Sequence, residues 1–484
     1  MTELGSPARQ LIDNAWIDAI DGGRWDVINP STEEIAANVP FGGAADVHRA
    51  IDAAQRALPG WRARTAYDRA AILGRAADLF RSRADVLAKV TVAECGKPIA
   101  DAIREWQIAG EFFDWYAEEG KRVYGYTIPA RVATKRMMVL HEPIGVVGVI
   151  TAWNFPVYNP ARAIAAALGA GCTVVVRPSE LTPLSAMAIA AVLVEAGAPP
   201  GVIGLVNGDP VAMGQAMLDN PALRKLSFTG STAVGKLLMD GASRTMTRLS
   251  LELGGNAPVL ILPDVDVAAL AKSAVASKFR NAGQVCVSPQ RFFVEKSKLA
   301  LFEEAVVAET KKLKVGPGSD PQVRVGPLAS GRHRDRVEGL LAAATSSGAK
   351  VRTGGKRPAN LDRGYFIEPT VLADVTPEMS VFAEEVFGPL FHMTSFDQLD
   401  DAIARANQTA YGLAAYVFTN DLSAAIRAYE RLEFGMIGVN DWVPQSIEGP
   451  FAGRKASGVG HECGREGLLD NLDTKLVSIG GIAP

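Results

Sequence analysis

The chain has 484 residues, more than the roughly 250–300 residues that one hydrophobic core usually supports, so we expect at least two domains. Hydrophobic residues make up 48% and charged residues 21% of the chain, which is typical of a folded globular protein and excludes extensive disorder. The 50 basic and 53 acidic residues give a net charge of −3, so the strongly basic balance of nucleic-acid-binding proteins is absent.

No segment of the sequence predicts a membrane span or a secretory signal. The longest apolar stretch, residues 163–176, is shorter than the roughly 20 residues that cross a bilayer. Residues 1–16 lack the apolar core of a signal peptide. Four scattered cysteines and five dispersed histidines predict neither a disulfide framework nor a metal site. We therefore expect a cytoplasmic protein without a metal and without a nucleic-acid or membrane partner.

The N-terminal part of the chain predicts short strands followed by a long helical segment. Turn signals such as Asp21-Gly22-Gly23 and Asn29-Pro30 separate short segments within residues 1–60. From Asp46 to Glu119, apolar residues recur at three- and four-residue spacing, which indicates amphipathic helices. Residues Tyr124–Glu142 predict a β-hairpin that faces solvent or another subunit, and their basic residues leave a polyanion site as the alternative.

From Gly145 onward, short apolar strands alternate with helices. This alternation is typical of doubly wound parallel sheets, and it restarts after Gly255. We therefore predict an α/β protein with two doubly wound domains and a boundary near residues 251–256. The predicted strands are Val146–Ile150, Thr173–Val176, Val202–Val206, Lys225–Phe228, Val259–Leu262 and Arg291–Val294. The predicted helices include Asn159–Leu168, Pro183–Glu195, Val265–Phe279 and Lys298–Leu313.

One glycine-rich segment has the position of a phosphate-binding turn. A GxGxxG fingerprint does not follow any predicted strand, but the sequence GSTAVG at residues 230–235 follows a strand and begins a helix. Free N–H groups at the start of a helix suit a phosphate or pyrophosphate. A purely steric role for these glycines is the alternative.

Three residues have side chains suited to catalysis, and each has a structural alternative. Cys286, in FRNAGQVC, is either a nucleophile or a small buried hydrophobic residue. Glu252 ends a strand before two glycines and is either a desolvated general base or a solvent-facing strand residue. The amide of Asn154 follows a strand and either donates to an oxyanion or caps a helix.

Six motifs, taken together and in this order, resemble the NAD(P)-dependent aldehyde dehydrogenase superfamily over essentially the whole chain. They are WNFP at 153–156, FTGS at 228–231, ELGGN at 252–256, FRNAGQVC at 279–286, EEVFGP at 384–389 and SG at 457–458. The resemblance implies that Cys286 attacks an aldehyde carbonyl and forms a thiohemiacetal and then a thioester. It also implies that Asn154 and the Cys286 N–H hold the oxyanion, and that Glu252 activates water for hydrolysis to a free acid.

The resemblance further implies a Rossmann-like site for a nicotinamide dinucleotide. It places Arg177 and Glu180 near the adenosine ribose, Ser231 near the pyrophosphate, and Glu385 and Phe387 near the nicotinamide end. Arg177 stands where lysine is usual, but Glu180 would repel a 2′-phosphate, so we predict NAD rather than NADP. The remaining implied cofactor contacts are Ile150, Trp153, Gly214, Gly230, Val234 and Leu253.

Residues 116–124, 224–231 and 276–284 resemble succinate-semialdehyde dehydrogenases in particular. In those enzymes two arginines and a serine hold the substrate carboxylate, and the matching residues are Arg162, Arg280 and Ser446. The alternatives are a surface or subunit salt bridge for Arg162 and an indirect contact for Arg280. A carboxylate-bearing semialdehyde is thus the predicted substrate. Broad or aromatic specificity, with Tyr158 and Trp442 lining the site, is the second hypothesis, and a catalytically silent oligomeric binding protein is the third.

The resemblance also implies how the chain is divided. A cofactor domain would comprise residues 1–122 and 143–251, and a catalytic domain residues 252–454. The hairpin at 123–142 and the C-terminal segment at 467–484 would form oligomerisation elements in a homodimer or homotetramer.

Overall fold

The computed structural model describes residues 8–483, and its strands and helices are numbered here in chain order. The strands are β1 (Gln10–Ile12), β2 (Ala15–Ile17), β3 (Arg24–Ile28), β4 (Ile35–Pro40), β5 (Tyr126–Ile128), β6 (Arg136–Pro143), β7 (Val146–Ile150), β8 (Thr173–Arg177), β9 (Ile203–Leu205), β10 (Leu223–Thr229), β11 (Arg248–Glu252), β12 (Ala257–Ile261), β13 (Pro289–Glu295), β14 (Lys350–Thr353), β15 (Thr370–Ala373), β16 (Leu390–Phe396), β17 (Tyr411–Gly412), β18 (Ala414–Phe418), β19 (Met436–Val439), β20 (Arg454–Lys455), β21 (Gly458–Val459) and β22 (Leu472–Ile479).

The helices all lie between β1 and β22 in chain order. They are α1 (Ala44–Arg62), α2 (Ala66–Ser82), α3 (Ala84–Cys95), α4 (Ile99–Glu119), α5 (Tyr158–Ala170), α6 (Pro183–Glu195), α7 (Pro210–Asp219), α8 (Thr232–Ser243), α9 (Val267–Phe279), α10 (Leu299–Thr310), α11 (Gly331–Ser346), α12 (Ser380–Ala383), α13 (Leu399–Asn407), α14 (Leu422–Arg431) and α15 (Gly464–Leu469). Within the described residues, no helix is long and apolar enough to span a bilayer.

The first sheet has eight strands in the spatial order β2-β1-β9-β8-β7-β10-β11-β21, and β9, β8, β7, β10 and β11 run parallel. Helices cover both faces, because the side chains of a strand alternate between them. In β7, Val147 and Val149 pack into the hydrophobic cluster that includes α5 and α6, whereas Val146 and Ile150 pack into the cluster of α1 and α7. The predicted doubly wound sheet is confirmed, and β7 and α6 have the predicted bounds.

The second sheet has seven strands in the order β14-β15-β16-β13-β12-β18-β19. Its strands are parallel except for β14, which pairs antiparallel to β15 at the edge. The predicted second α/β unit is therefore confirmed. Its first helices are shorter than predicted: α9 begins at Val267, where Asp266 accepts from two backbone N–H groups, and α10 ends at Thr310.

The predicted hairpin is also confirmed, because β5 pairs antiparallel to β6. A third strand, β22, joins the other edge of β6 over eight residue pairs, from Leu472 opposite Pro143 to Ile479 opposite Arg136. This small three-stranded sheet exposes apolar side chains from the hairpin and from the C-terminal strand. They include Tyr126, Leu140, Leu476 and Ile479.

Candidate active site

A cavity of about 760 Å³ lies where strand ends of the first sheet meet loops of the second. Parallel strands end at one edge of their sheet, so the segments after β7, β10 and β11 converge there. The cavity brings together twelve of the predicted site residues. They are Trp153, Asn154, Arg162, Gly230, Ser231, Glu252, Leu253, Arg280, Cys286, Glu385, Phe387 and Ser446.

Cys286 follows a strained turn between α9 and β13. Asn281, Ala282 and Gly283 all have positive φ angles of 48°, 55° and 75°. Left-handed conformations in non-glycine residues cost of order 1–3 kcal/mol each and concentrate at functional sites. The Cys286 side chain is half-buried, which does not fit the alternative of a fully buried hydrophobic residue. The turn thus holds Cys286 at the wall of the cavity.

Hydrogen bonds from both sides hold this turn in place. The side chain of Gln284 donates to the Asn281 carbonyl at 3.0 Å and accepts from the Ala329 N–H at 2.9 Å. Behind the cysteine, Gly255 must be glycine, because a Cβ there would lie 2.3 Å from the Cys286 carbonyl oxygen. The backbone around the sulfur is therefore fixed by packing as well as by hydrogen bonds.

Asn154 is buried and its amide nitrogen donates to the carbonyl oxygen of Gln284 at 3.0 Å. That carbonyl lies two residues before Cys286, so the amide is held beside the cysteine loop. The carbonyl of Asn154 itself accepts from Asn281 Nδ2 at 2.9 Å. The alternative role of a helix cap does not apply, since Asn154 precedes α5 by four residues and makes no cap hydrogen bond there. Asn154 also lines the cavity.

Glu252 ends β11 with a side chain that is only 3% exposed, so the solvent-facing alternative is wrong. Burial raises the pKa of its carboxyl well above the usual value, and the charge of Arg162 opposes this shift only in part. Its Oε2 atom has no hydrogen-bond partner among residues 8–483. A desolvated carboxylate with a free oxygen is suited to accept a proton from water.

The thiol of Cys286 is not activated in the chain alone. Burial and the carboxylate of Glu385 raise its pKa to about 12, and Arg162 counteracts this effect. The nucleophile therefore needs a base or a change in its surroundings before it reacts at neutral pH.

Glu385 and Phe387 form a rigid wall of the cavity. Glu385 accepts from the Gly255 N–H at 2.9 Å, and burial raises the pKa of its carboxyl to about 7. Arg336 donates to the carbonyl oxygens of Glu385 and Val386, at 2.7 and 2.9 Å. The Phe387 ring meets the Trp153 ring edge-on at 5.3 Å. These aromatic and carboxylate groups are suited to hold a flat heteroaromatic ring and a ribose hydroxyl.

The other predicted cofactor residues follow neighbouring strands of the first sheet. Arg177 ends β8 and donates to Glu180 at 2.8 Å and to the Gly208 carbonyl at 2.7 Å. Its buried Nε atom has no hydrogen-bond partner within the described chain. Ser231 caps α8 by accepting from the Val234 N–H at 3.3 Å. Arg177 and Glu180 lie outside the cavity lining, and so do Ile150 at the end of β7, Gly214 within α7 and Val234 within α8.

Arg162 is only 1% exposed, so the alternative of a surface or subunit salt bridge is wrong. It forms an ion pair with the carboxylate of Glu462, which is also buried and which accepts from the hydroxyl of Ser227. Its guanidinium lies 4.5 Å from the ring centre of Phe451 and 5.3 Å from that of Tyr158. The predicted clamp residue thus lines the cavity, but its charge is already balanced by the protein.

Arg280 and Ser446 line the same cavity from the second sheet's loops. Arg280 has no ion-pair partner within residues 8–483, and its guanidinium lies 5.7 Å from the ring centre of Phe155. Of the two aromatic residues proposed for an aromatic-aldehyde site, Tyr158 lines the cavity. Trp442 does not line it and packs against Phe418 instead, with ring centres 4.3 Å apart, so this part of the second hypothesis is wrong.

Several residues of the site were not predicted from the sequence. Asn281 carried a detectable signal, because asparagine tolerates the left-handed conformation and precedes a glycine. Lys97, Glu105 and Glu462 carried none, since their partners lie far away in sequence or in another element. Arg336 was equally difficult to predict, because its partners, two backbone carbonyls and the carboxylate of Glu384, belong to a segment distant in sequence.

Comparison with known proteins agrees with this geometry. The family profile described as "Aldehyde dehydrogenase family" matches residues 16–477. The NADP(+) succinate-semialdehyde dehydrogenase GabD of Escherichia coli strain K12 is 44% identical over 470 residues, covering 97% of this chain and 97% of that protein. The glutarate-semialdehyde dehydrogenase of Pseudomonas aeruginosa is 43% identical over 471 residues, again 97% of each chain.

The fold of the chain is also similar to that of solved structures. The crystal structure of succinate-semialdehyde dehydrogenase from Burkholderia pseudomallei has a TM-score of 0.95 to this chain at 45% identity, and each chain is 98% covered. Because these relatives are named dehydrogenases, the hypothesis of a catalytically silent binding protein is set aside. From the profile match, the relatives and the fold, the chain belongs to the aldehyde dehydrogenase family and is an enzyme.

Proposed function

We propose that this enzyme oxidises a carboxylate-bearing semialdehyde, such as succinate semialdehyde, to the dicarboxylic acid with NAD+ as hydride acceptor. The single observation that carries the proposal is the shared cavity, in which Cys286, Asn154 and Glu252 lie together with Arg280. The names of the Escherichia coli and Pseudomonas aeruginosa relatives, which act on succinate and glutarate semialdehyde, support this class of substrate.

In the proposed reaction, the deprotonated sulfur of Cys286 forms a bond to the aldehyde carbon, and the carbonyl electron pair moves onto oxygen. The Asn154 amide and the Cys286 N–H stabilise that oxyanion. An electron-rich oxygen on the same carbon is what allows the aldehyde hydrogen to leave as hydride. NAD+, when bound, supplies the acceptor for this hydride.

Loss of hydride leaves a thioester on Cys286. Glu252 then takes a proton from water as the water oxygen attacks the thioester carbon. The C–S bond breaks, the acid leaves, and the sulfur is returned to its starting state. Burial raises the pKa of Glu252, which makes its carboxylate a stronger base, and its Oε2 atom has no partner among residues 8–483; both observations support this role.

Substrate selection is proposed to rest on Arg280, with Arg162 and Ser446 as hydrogen-bond donors. A guanidinium binds a carboxylate through two parallel hydrogen bonds, and Arg280 forms no ion pair among residues 8–483, although its charge interacts with that of Asp101 in the same cavity. The aromatic residues Phe155, Tyr158 and Phe451 also line it, which favours aromatic aldehydes as the second candidate.

The cofactor preference is proposed to be NAD over NADP. The residues fit a dinucleotide: the buried Arg177 Nε lacks a partner within residues 8–483, and the N-terminus of α8 follows β10. Glu180 engages the guanidinium of Arg177 and adds negative charge where a 2′-phosphate would otherwise meet it. The Escherichia coli relative is named for NADP(+), so both cofactors need to be compared directly.

The test is a kinetic panel with both cofactors. Succinate semialdehyde, glutarate semialdehyde, an uncharged aliphatic aldehyde and benzaldehyde are compared by kcat/KM for NAD(P)H formation. The proposal expects the highest values for the two carboxylate-bearing aldehydes with NAD+. Preference for benzaldehyde would support the second candidate. Cys286→Ala is the control and must abolish turnover.

We also propose that the chain is a homodimer or homotetramer in the cytoplasm. The exposed apolar side chains of the small sheet, in residues 123–142 and 467–484, support a subunit contact there, and residue 484 lies outside the described residues. Four free cysteines are consistent with a reducing compartment. The two sheets also support the proposed division into domains, 1–122 with 143–251 and then 252–454; residues 1–7 lie outside the described chain.

The proposed subunit contact is tested by light scattering of the Leu140→Asp variant. This substitution is expected to lower the molar mass of the particle in solution.

A further inference from the structure

A buried ion pair lies directly behind the turn that carries Asn154. Lys97, in the loop between α3 and α4, pairs with Glu105 of α4, and the two side chains are only 1% and 3% exposed. The proposed reaction uses neither of them. Both residues also line the cavity, but two charges with so little exposure need a specific reason, because desolvation offsets much of their attraction.

The two charges hold opposite ends of one short segment, residues 154–158. Lys97 Nζ donates to the carbonyl oxygen of Asn154 at 3.0 Å and lies 4.2 Å from the ring centre of Phe155. Glu105 Oε1 accepts from the N–H groups of Val157 and Tyr158, both at 2.8 Å. The cation thus fixes the first carbonyl of the segment, and the anion fixes the N–H groups that begin α5.

This arrangement controls where the Asn154 amide points. The side chain extends from a backbone whose carbonyl is held by Lys97 on one side and by Asn281 on the other. An oxyanion donor is effective only when it lies within hydrogen-bond distance of the oxygen as charge develops on it. A rotation of the Asn154 peptide would move the amide away from the carbonyl of an adduct on Cys286.

We propose that Lys97 and Glu105 are positioning residues for the oxyanion donor Asn154. Their ion pair fixes the backbone of residues 154–158 and thereby aims the Asn154 amide at the oxyanion formed on Cys286. The inference rests on the proposed role of Asn154, and it adds two residues of the helical layer to the machinery of the reaction.

The test compares two reactions of the same sulfur. In p-nitrophenyl acetate hydrolysis, the Cys286 thiolate attacks the ester carbon, an oxyanion forms, p-nitrophenolate leaves, and water then releases acetate. In alkylation by iodoacetamide, the thiolate displaces iodide directly and no oxyanion forms. Only the first reaction needs the Asn154 amide. Lys97→Met is expected to slow ester hydrolysis by about tenfold to a hundredfold, which is less than full removal of an oxyanion donor, and to leave alkylation within about twofold.

Glu105→Gln provides a second variant with a close control. Glu94 is also buried and accepts from two N–H groups at a helix start, those of Leu184 and Ser185 at 2.7 and 2.8 Å. It caps α6 rather than the Asn154 segment. Glu105→Gln is expected to slow ester hydrolysis selectively, and Glu94→Gln is expected to leave the ratio of the two rates unchanged. If Lys97→Met does not fold, this pair of variants decides the question.

Equal loss of ester hydrolysis and alkylation in Glu105→Gln would overturn the proposal, because it would indicate a general disturbance around Cys286. An unchanged ester rate in folded Lys97→Met would overturn it as well. This test can fail or succeed independently of the proposed function. Even if the wild-type enzyme oxidises no semialdehyde, a selective loss of ester hydrolysis in Lys97→Met or Glu105→Gln still supports the positioning of Asn154.

Discussion

The guanidinium of Arg162 is paired with the carboxylate of Glu462 inside the protein, and both side chains are almost completely buried. This pairing changes what Arg162 can contribute to substrate binding. Its positive charge is balanced before any substrate enters, so it can offer hydrogen bonds but little net charge. Arg280, without an ion-pair partner among the described residues, is the group that can attract a carboxylate into the cavity.

We therefore predict that Arg280→Ala lowers kcat/KM for succinate semialdehyde by on the order of tenfold to a hundredfold, since a hydrogen bond to a charged group is worth roughly 1.5–3 kcal/mol. The loss for an uncharged aliphatic aldehyde of similar length is expected to be much smaller. Steady-state kinetics with both aldehydes measures the difference. Arg280→Lys keeps the charge and is expected to retain part of the preference. Equal losses on the two substrates would remove the carboxylate clamp from the mechanism.

Glu252→Gln is predicted to separate the two halves of the reaction. Without its base, the enzyme can still form the thioester but hydrolyses it slowly, because general-base catalysis contributes typically 10²–10⁴-fold. Stopped-flow measurement is expected to give a burst of about one NADH per active site, followed by a steady state at least about a hundredfold slower.

The acyl group should be detectable on Cys286 by mass spectrometry of the quenched Glu252→Gln variant. Hydroxylamine attacks a thioester without a general base, so it is expected to restore NADH formation. A variant that shows neither a burst nor an acyl adduct would place the action of Glu252 before hydride transfer.

The fold was predicted from local sequence patterns, and this explains why some parts of the candidate site could not be predicted. Buried strands such as β7, Val146–Ile150, are apolar on both faces and short, so their composition alone indicates a parallel sheet. Glu252 ends β11, and the carboxyl ends of neighbouring parallel strands converge by geometry, whereas Cys286 lies in the loop before β13 of the second sheet. Local pattern and topology therefore predicted which strand ends meet, whereas the catalytic roles of these residues were predicted only from the resemblance to the aldehyde dehydrogenase superfamily.

Pairs of charges that meet only in the folded chain could not be predicted in this way. Glu462 is 300 residues from Arg162 in sequence, by the difference of their numbers, and nothing in the local sequence of either residue indicates the other. The burial of a side chain could not be predicted from the local sequence either, because the segment LELGG permits Glu252 to face either solvent or the interior. The folded chain, in which β21 pairs with β11 at Glu252, shows that this side chain is buried.

Alkylation of Cys286 in the unliganded enzyme is predicted to be slow at neutral pH and to accelerate with rising pH. Burial and Glu385 raise the pKa of the thiol to about 12, so the reactive thiolate is a small fraction that grows about tenfold per pH unit below that value. The pseudo-first-order rate with iodoacetamide should therefore rise by about tenfold per unit between pH 7 and 9. Cys286→Ala identifies labelling of other cysteines. A rate that levels off near pH 8 would contradict the predicted pKa.

Glu180 is predicted to set the cofactor preference, and its replacement tests this directly. Glu180→Gln removes the negative charge that faces the expected ribose position and releases the Arg177 guanidinium from its ion pair. Charges near a protein surface at about 4 Å interact by roughly 1–4 kcal/mol, so the ratio of kcat/KM for NAD+ to that for NADP+ should fall by about tenfold or more. Glu195→Gln is the matched control, because Glu195 is likewise paired with an arginine, Arg83, but lies at the end of α6. If the ratio changes equally in both variants, or in neither, Glu180 does not discriminate the 2′-phosphate, and the preference must arise from the shape of the ribose site.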